Sequence, residues 1–111
     1  MTADDPHLGL FQVLRDDGSV DEAREPKLSD EKLHEIFRHM LRIRLIDERM
    51  LMRQRQGKVG FYGASTGQEA TPLATALNLE KDDWVFPALR EASIMLVRGF
   101  PLTTWLAQIY G

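Results

Sequence analysis

SDEKLHEIFRHMLRIRLIDERMLMRQRQG, residues 29–57, reads as one long helix with both ends written into it. Ser29 is placed to cap it, Asp30 and Glu31 fall in the first turn, and Gly57 stands where a helix stops. A run of about 28 residues has a length of roughly 42 Å at the α-helical rise. Leu33, Ile36, Phe37, Met40, Ile43, Met50 and Leu51 recur at spacings of three and four, while Leu41, Leu45, Ile46 and Met52 widen the stripe beyond one face. Such a helix calls for cover on two sides. Arg53, Arg55 and Lys58 suit the negative end of its dipole, and Arg44 is set to pair with Glu48 one turn later.

Beyond this helix, the loop Lys58-Val-Gly-Phe-Tyr-Gly-Ala-Ser65 leads into Thr66-Gly-Gln-Glu69, the pattern of a capping box. A second helix is therefore expected from Thr66 to about Asn78, slim in profile because it is rich in alanine. Asp82-Asp83 mark a turn, Trp84-Val-Phe86 reads as a short buried strand closed by Pro87, and helices follow over Glu91 to Arg98 and Leu102 to Tyr110. Alternation of helix and strand points to an α/β fold, mostly helical here with one or two short strands. Parallel sheets need several strands, so the sheet reads as incomplete. Upstream, residues 1–28 read as an extended arm, with Asp17-Gly18 as a hairpin turn between Phe11–Leu14 and Val20. So few apolar positions cannot order an arm by burial alone, and it is expected to dock on something else.

Composition narrows the function classes. With 43% hydrophobic and 28% charged residues the chain is built like a globular domain, and its formal charge of -3 gives no basic footprint for nucleic acid. No cysteine is present, which excludes thiolate chemistry and disulfides. His34 and His39 lie five residues apart rather than four, so they do not share a helix face as zinc ligands, and no metal site is expected. No apolar run reaches the length of about 20 residues that spans a bilayer, and no leader pattern opens the chain. The cytoplasm is the expected compartment.

An ordered set of stretches then carries a resemblance. Arg44-Leu-Ile-Asp-Glu-Arg49, Arg53-Gln-Arg-Gln-Gly57-Lys-Val-Gly-Phe61-Tyr62, Gly67-Gln-Glu-Ala70 and Asp83-Trp-Val-Phe-Pro87 with Arg90-Glu91 and Arg98-Gly99 are similar to the alpha subunits of thiamine-diphosphate-dependent 2-oxoacid dehydrogenases of the pyruvate or branched-chain type. The arm, Phe11-Gln-Val-Leu-Arg-Asp-Asp-Gly-Ser-Val and Pro26-Lys-Leu-Ser-Asp-Glu31, resembles the pyruvate type. The resemblance implies the N-terminal portion of a thiamine-diphosphate-binding fold over residues 29–111. It also implies oxidative decarboxylation of a 2-oxo acid, pyruvate favoured over branched-chain acids, with transfer of the acyl group to a lipoyl carrier. The implied partners are a beta subunit, in a two-alpha two-beta assembly, and a lipoyl-bearing acyltransferase. In this family magnesium and most of the diphosphate are held by a Gly-Asp-Gly stretch and a later asparagine, neither of which occurs in these residues, so the chain alone is expected to be inactive. The rival reading is a truncated, non-catalytic helical interaction module.

By the same resemblance, Arg90 binds the cofactor diphosphate, for which a guanidinium fork is well shaped. The plain alternative is a surface arginine paired with Glu91 or with solvent. Leu89 stands where relatives carry a tyrosine that also reaches the diphosphate, and leucine has no donor to offer. Phe61 is placed by resemblance beside the cofactor, and Tyr62 and Ser65 along the substrate channel. Adjacent aromatics equally serve to anchor a loop in a core. Glu69 is accounted for by capping, without a catalytic role.

Overall fold

The computed structural model describes residues 11–111, which divide into two compact units, one ending at Asp30 and one spanning Glu31–Gly111. In the first, Leu14 and Val20 form an isolated antiparallel bridge around Asp17-Gly18, closed by the Arg15 N–H on the Ser19 carbonyl at 2.9 Å. The Ser19 N–H bonds the Asp17 carboxylate at 2.8 Å, the local side-chain bond that makes Asp a turn residue. Asp21 pairs with both Arg15 and Arg24, and the Arg24 guanidinium lies 5.4 Å over the Phe11 ring. Residues 1–10 of the expected arm lie outside the described residues.

The second unit is helical. Its long helix α1 runs Asp30–Arg55, within a residue of the expected span. It closes with Gly57 at φ +68°, the Gly57 N–H on the Gln54 carbonyl and the Lys58 N–H on the Arg53 carbonyl. These two hydrogen bonds are those of a Schellman ending, and the left-handed residue in it favours glycine. Three shorter helices follow: α2 at Ala70–Asn78, α3 at Ser93–Val97 and α4 at Leu102–Tyr110. Met50, Val59, Tyr62, Leu96 and Trp105 form the core, with Ile46, Leu51, Phe100, Leu102 and Leu106 packed against it. A second contact joins α2 to α3, where Leu73, Ala76 and Ile94 are buried.

The structure corrects several expectations. Among the described residues there is no strand beyond the bridge at Leu14, so the α/β class is not seen here. Residues 84–86 form no strand, and Trp84 and Phe86 stack on each other while 86% and 88% exposed. A strand needs a neighbouring segment to take its backbone groups, and among the described residues none pairs with residues 84–86. The capping box does not form: α2 begins at Ala70, four residues past Thr66, because the Thr66 hydroxyl and the Glu69 carboxylate are engaged elsewhere and Gly67 turns out of the helix at φ +87°. Helix α3 begins at Ser93 rather than Glu91. Arg44 pairs with Glu69 of the next element, not with Glu48. Of α1 only Ile43, Asp47 and Met50 are buried, and Phe37, Leu41 and Leu45 stand open instead of covered.

Candidate functional site

Buried residues of α1 fall at 43, 47 and 50, one stripe at helical spacing, and its middle member is a carboxylate. Asp47 is 1% exposed. A charge so placed is tolerable only when its lone pairs are filled. Its Oδ1 accepts the Tyr62 hydroxyl at 2.7 Å, and its Oδ2 accepts the Ser65 N–H at 2.8 Å and the Thr66 hydroxyl at 3.1 Å. One side chain of the helix thus grips three points of the loop that follows it.

A second grip lies one turn back along α1. Arg44 Nε donates to Glu69 Oε1, and Glu69 Oε2 accepts the Gly67 N–H at 3.0 Å. The hydrogen bond from Arg44 holds the Glu69 carboxyl below its ordinary range, against the burial that raises it. Between these grips the Gln68 N–H closes a turn on the Ser65 carbonyl at 2.7 Å. From 62 to 69 the loop is therefore determined by Arg44 and Asp47, which lie one turn apart on the same helix.

Tyr62 and Ser65, assigned by resemblance to a substrate channel, are both buried. The Tyr62 ring meets Trp105 edge-on at 6.4 Å between centroids, and its phenol is pushed above its usual range by burial first and by the bond to Asp47 second. Phe61, by contrast, is 62% exposed. Nearby the segment after Pro87 returns, and Leu89 sits on the backbone of Gly63: a Cβ there would lie 2.6 Å from Leu89 Cγ. Glycine is needed for that approach. Phe61, Tyr62, Gly63, Leu89, Met95 and Trp105 line a largely apolar cleft of about 310 Å³.

Of the sequence-derived site residues, the fold brings Phe61, Tyr62 and Leu89 to this cleft, while Ser65 and Arg90 are not among the residues that line it. Arg90 is exposed, and among the described residues none bonds its guanidinium. It does not pair with Glu91, whose Oε2 is buried without a partner among the described residues, as is Ser93 Oγ. Arg98 serves a structural end instead. Its guanidinium donates to the carbonyls of Glu80 at 2.9 Å, Lys81 at 2.8 Å and Asp83 at 3.1 Å, latching the turn that leads into Trp84. No group of three or more His, Cys, Asp or Glu among the described residues is arranged to hold a metal ion. Arg90 follows the cleft-lining Leu89 by one residue and is exposed. No helix among the described residues is long and apolar enough to cross a membrane.

Sequence reasoning passed over Asp47 and misassigned Arg44. The signal for Asp47 was present: a lone carboxylate four residues after Ile43 and three before Met50, inside the apolar stripe.

Comparison with known proteins bears on this arrangement. Residues 37–111 match the family described as dehydrogenase E1 component. The chain is 42% identical over 93 residues to the pyruvate dehydrogenase E1 component subunit alpha of Bacillus subtilis (strain 168), an alignment covering 83% of this chain and 25% of the relative. The same-named proteins of Bacillus cereus and Staphylococcus aureus (strain Mu50 / ATCC 700699) are 40% identical over 93 residues and 39% over 95, covering 83% and 85% of this chain and 25% and 26% of the relatives. The chain spans about a quarter of the length of the curated relatives it matches.

Proposed function

Because this chain belongs to the dehydrogenase E1 component family, we propose that it is the N-terminal part of a 2-oxoacid dehydrogenase alpha subunit and builds one wall of a thiamine diphosphate site. The reaction is the oxidative decarboxylation of a 2-oxo acid, pyruvate in the first place, with the acyl group passed to a lipoyl group on an acyltransferase. A beta subunit completes the site and takes part in choosing between pyruvate and branched-chain acids. Bound thiamine diphosphate supplies the electron sink for decarboxylation. The residues of this chain bind and orient it.

The observation that carries the reading is the meeting of Phe61 and Leu89 at one cleft, with the exposed Arg90 guanidinium, unbonded among the described residues, next in sequence. In this reading Arg90 offers its fork to the diphosphate, Phe61 and Leu89 shield the cofactor from water, and Gly63 keeps the two segments close. Leu89 contributes shape but no hydrogen bond, so Arg90 carries the polar contact on this side. Magnesium would be held by elements beyond these residues.

Calorimetry of the full-length alpha subunit, assembled with its beta subunit and titrated with thiamine diphosphate in the presence of magnesium, tests the assignment. Arg90→Ala should weaken binding by about 1.5–3 kcal/mol, the worth of a hydrogen bond to a charged group, or roughly 10- to 150-fold. Arg90→Lys should recover part of this, since a point charge does not reproduce the fork. Arg55, exposed at the end of α1, is the control. Equal small effects of Arg90→Ala and Arg55→Ala would remove Arg90 from the site.

A further inference from the structure

Asp47 has no place in the reading just given, yet its carboxylate is buried and takes three hydrogen bonds from one loop, donated by Tyr62, Ser65 and Thr66. Those three contacts bracket Gly63 and Ala64, which receive no hydrogen bond of their own from Asp47. Gly63 in turn is the surface on which Leu89 rests, close enough that no Cβ fits between them. Leu89 is joined by one peptide bond to Arg90. A line of contacts therefore runs from the buried face of α1 through the loop backbone to the Leu89 side chain, and Arg90 is the next residue in the chain.

We infer that Asp47 is a positioning residue for the cofactor site, acting through the loop 62–66 and the Gly63–Leu89 contact to set where Arg90 stands. The inference rests on the assignment of Arg90 to the diphosphate. Physically, the three bonds differ in what they fix. The Tyr62 hydroxyl anchors the phenol that lies edge-on to Trp105 and so ties the loop to α4. The Ser65 N–H and Thr66 hydroxyl fix the backbone after Ala64. With both sides held, the Gly63 backbone is a rigid floor for Leu89. Released, the floor shifts and Leu89 follows it, taking Arg90 off its line. Arg44 and Glu69 hold the far end of the same loop, and the negative charge of Asp47 lies within electrostatic reach of the Arg44 guanidinium.

Deleting the carboxylate destabilises the fold as well, so the test must separate the two effects. A double-mutant cycle does this, because residues acting in one chain of contacts give non-additive losses while independent ones add. In the assembled full-length enzyme, Asp47→Ala is expected to weaken thiamine diphosphate binding about 2- to 30-fold, the range of effects relayed through packed side chains. In the Arg90→Ala background the same change should cost nothing further. Asp47→Asn should keep near-parental affinity, because its amide oxygen can accept from Ser65 and Thr66 while its NH2 donates to the Tyr62 oxygen. Leu73→Ala, which empties a buried position on α2 outside these bonds, should lower the melting temperature and leave affinity unchanged. If Asp47→Ala does not fold, Tyr62→Phe takes its place in the cycle, with a smaller loss expected in the same pattern. Equal losses in the parental and Arg90→Ala backgrounds, or no loss at all, overturn the positioning role and leave the cofactor assignment standing. A parental enzyme that shows no saturable thiamine diphosphate binding, or an Arg90→Ala variant that binds like the parent, overturns the assignment of Arg90 and this inference with it.

Discussion

The Tyr62 hydroxyl donates to the Asp47 carboxylate at 2.7 Å, and both side chains are closed to solvent. Tyr62→Phe removes the donor and leaves Oδ1 of a buried carboxylate without one, a loss of about 1–3 kcal/mol. Urea unfolding of the parent and the variant measures it. The bond also has a pH signature. Burial, and then Asp47, raise the phenol above its ordinary value of 10.0, so the neutral form is the one the fold favours. For a group raised in this way, stability is complete below the ordinary value and declines as pH climbs through the folded one. The parent should lose stability at high pH more steeply than Tyr62→Phe, and ultraviolet titration should find Tyr62 ionising only with unfolding.

Glu69 works at the opposite end of the scale. Its carboxyl is held below 4.5, chiefly by the hydrogen bond from Arg44. A depressed carboxyl contributes stability that is present above its unfolded value and lost as pH falls through the folded one. Acid unfolding of the parent should therefore show a decline below pH about 4.5 that is shallower in Glu69→Gln. Identical acid limbs for the two proteins would mean that the Arg44 pair contributes nothing measurable.

Gly63 and Leu89 should behave as one steric unit. A methyl group at 63 meets Leu89 Cγ at 2.6 Å, one bond from its Cβ, so relieving the clash displaces Leu89 as a residue and not only the tip of its side chain. Gly63→Ala is expected to cost about 1 kcal/mol, the low end of overpacking. Leu89→Ala in the same chain should restore most of the loss. Thermal unfolding of the two single variants and the double variant gives the answer, and strictly additive losses would show that the contact is not the cause.

Arg98 is placed to hold a turn rather than a ligand. Removing its guanidinium frees the carbonyls of Glu80, Lys81 and Asp83. Arg98→Ala should lower stability by about 1–2 kcal/mol, below the full worth of charged hydrogen bonds because the site is open to water. It should also speed trypsin cleavage after Lys81, with Arg98→Lys intermediate. Unchanged cleavage would show that the latch is not what orders the turn.

What the sequence determined by itself was local. The extent of α1, its stop at Gly57, the last helix at Leu102–Tyr110 and the Asp17-Gly18 turn each depend on residues within a few positions of one another, where capping and backbone preference decide the outcome. Motifs in order also pointed to the family, and residues 37–111 match it. The tertiary structure decided which polar group meets which. Thr66 and Glu69 form a sound capping box on paper, but Asp47 and Arg44, separated from them by 19 and 25 positions, take both side chains first. A local cap worth about 1 kcal/mol yields to a buried charge whose lone pairs must be filled. Trp84 and Phe86 show the converse. Their pattern is that of a strand, yet strand pairing is made between segments, and the described residues provide none to pair with. Periodicity told which residues were able to be buried; the return of the chain onto α1 chose Tyr62 and Asp47 for burial and left Phe61 and Arg90 at the surface.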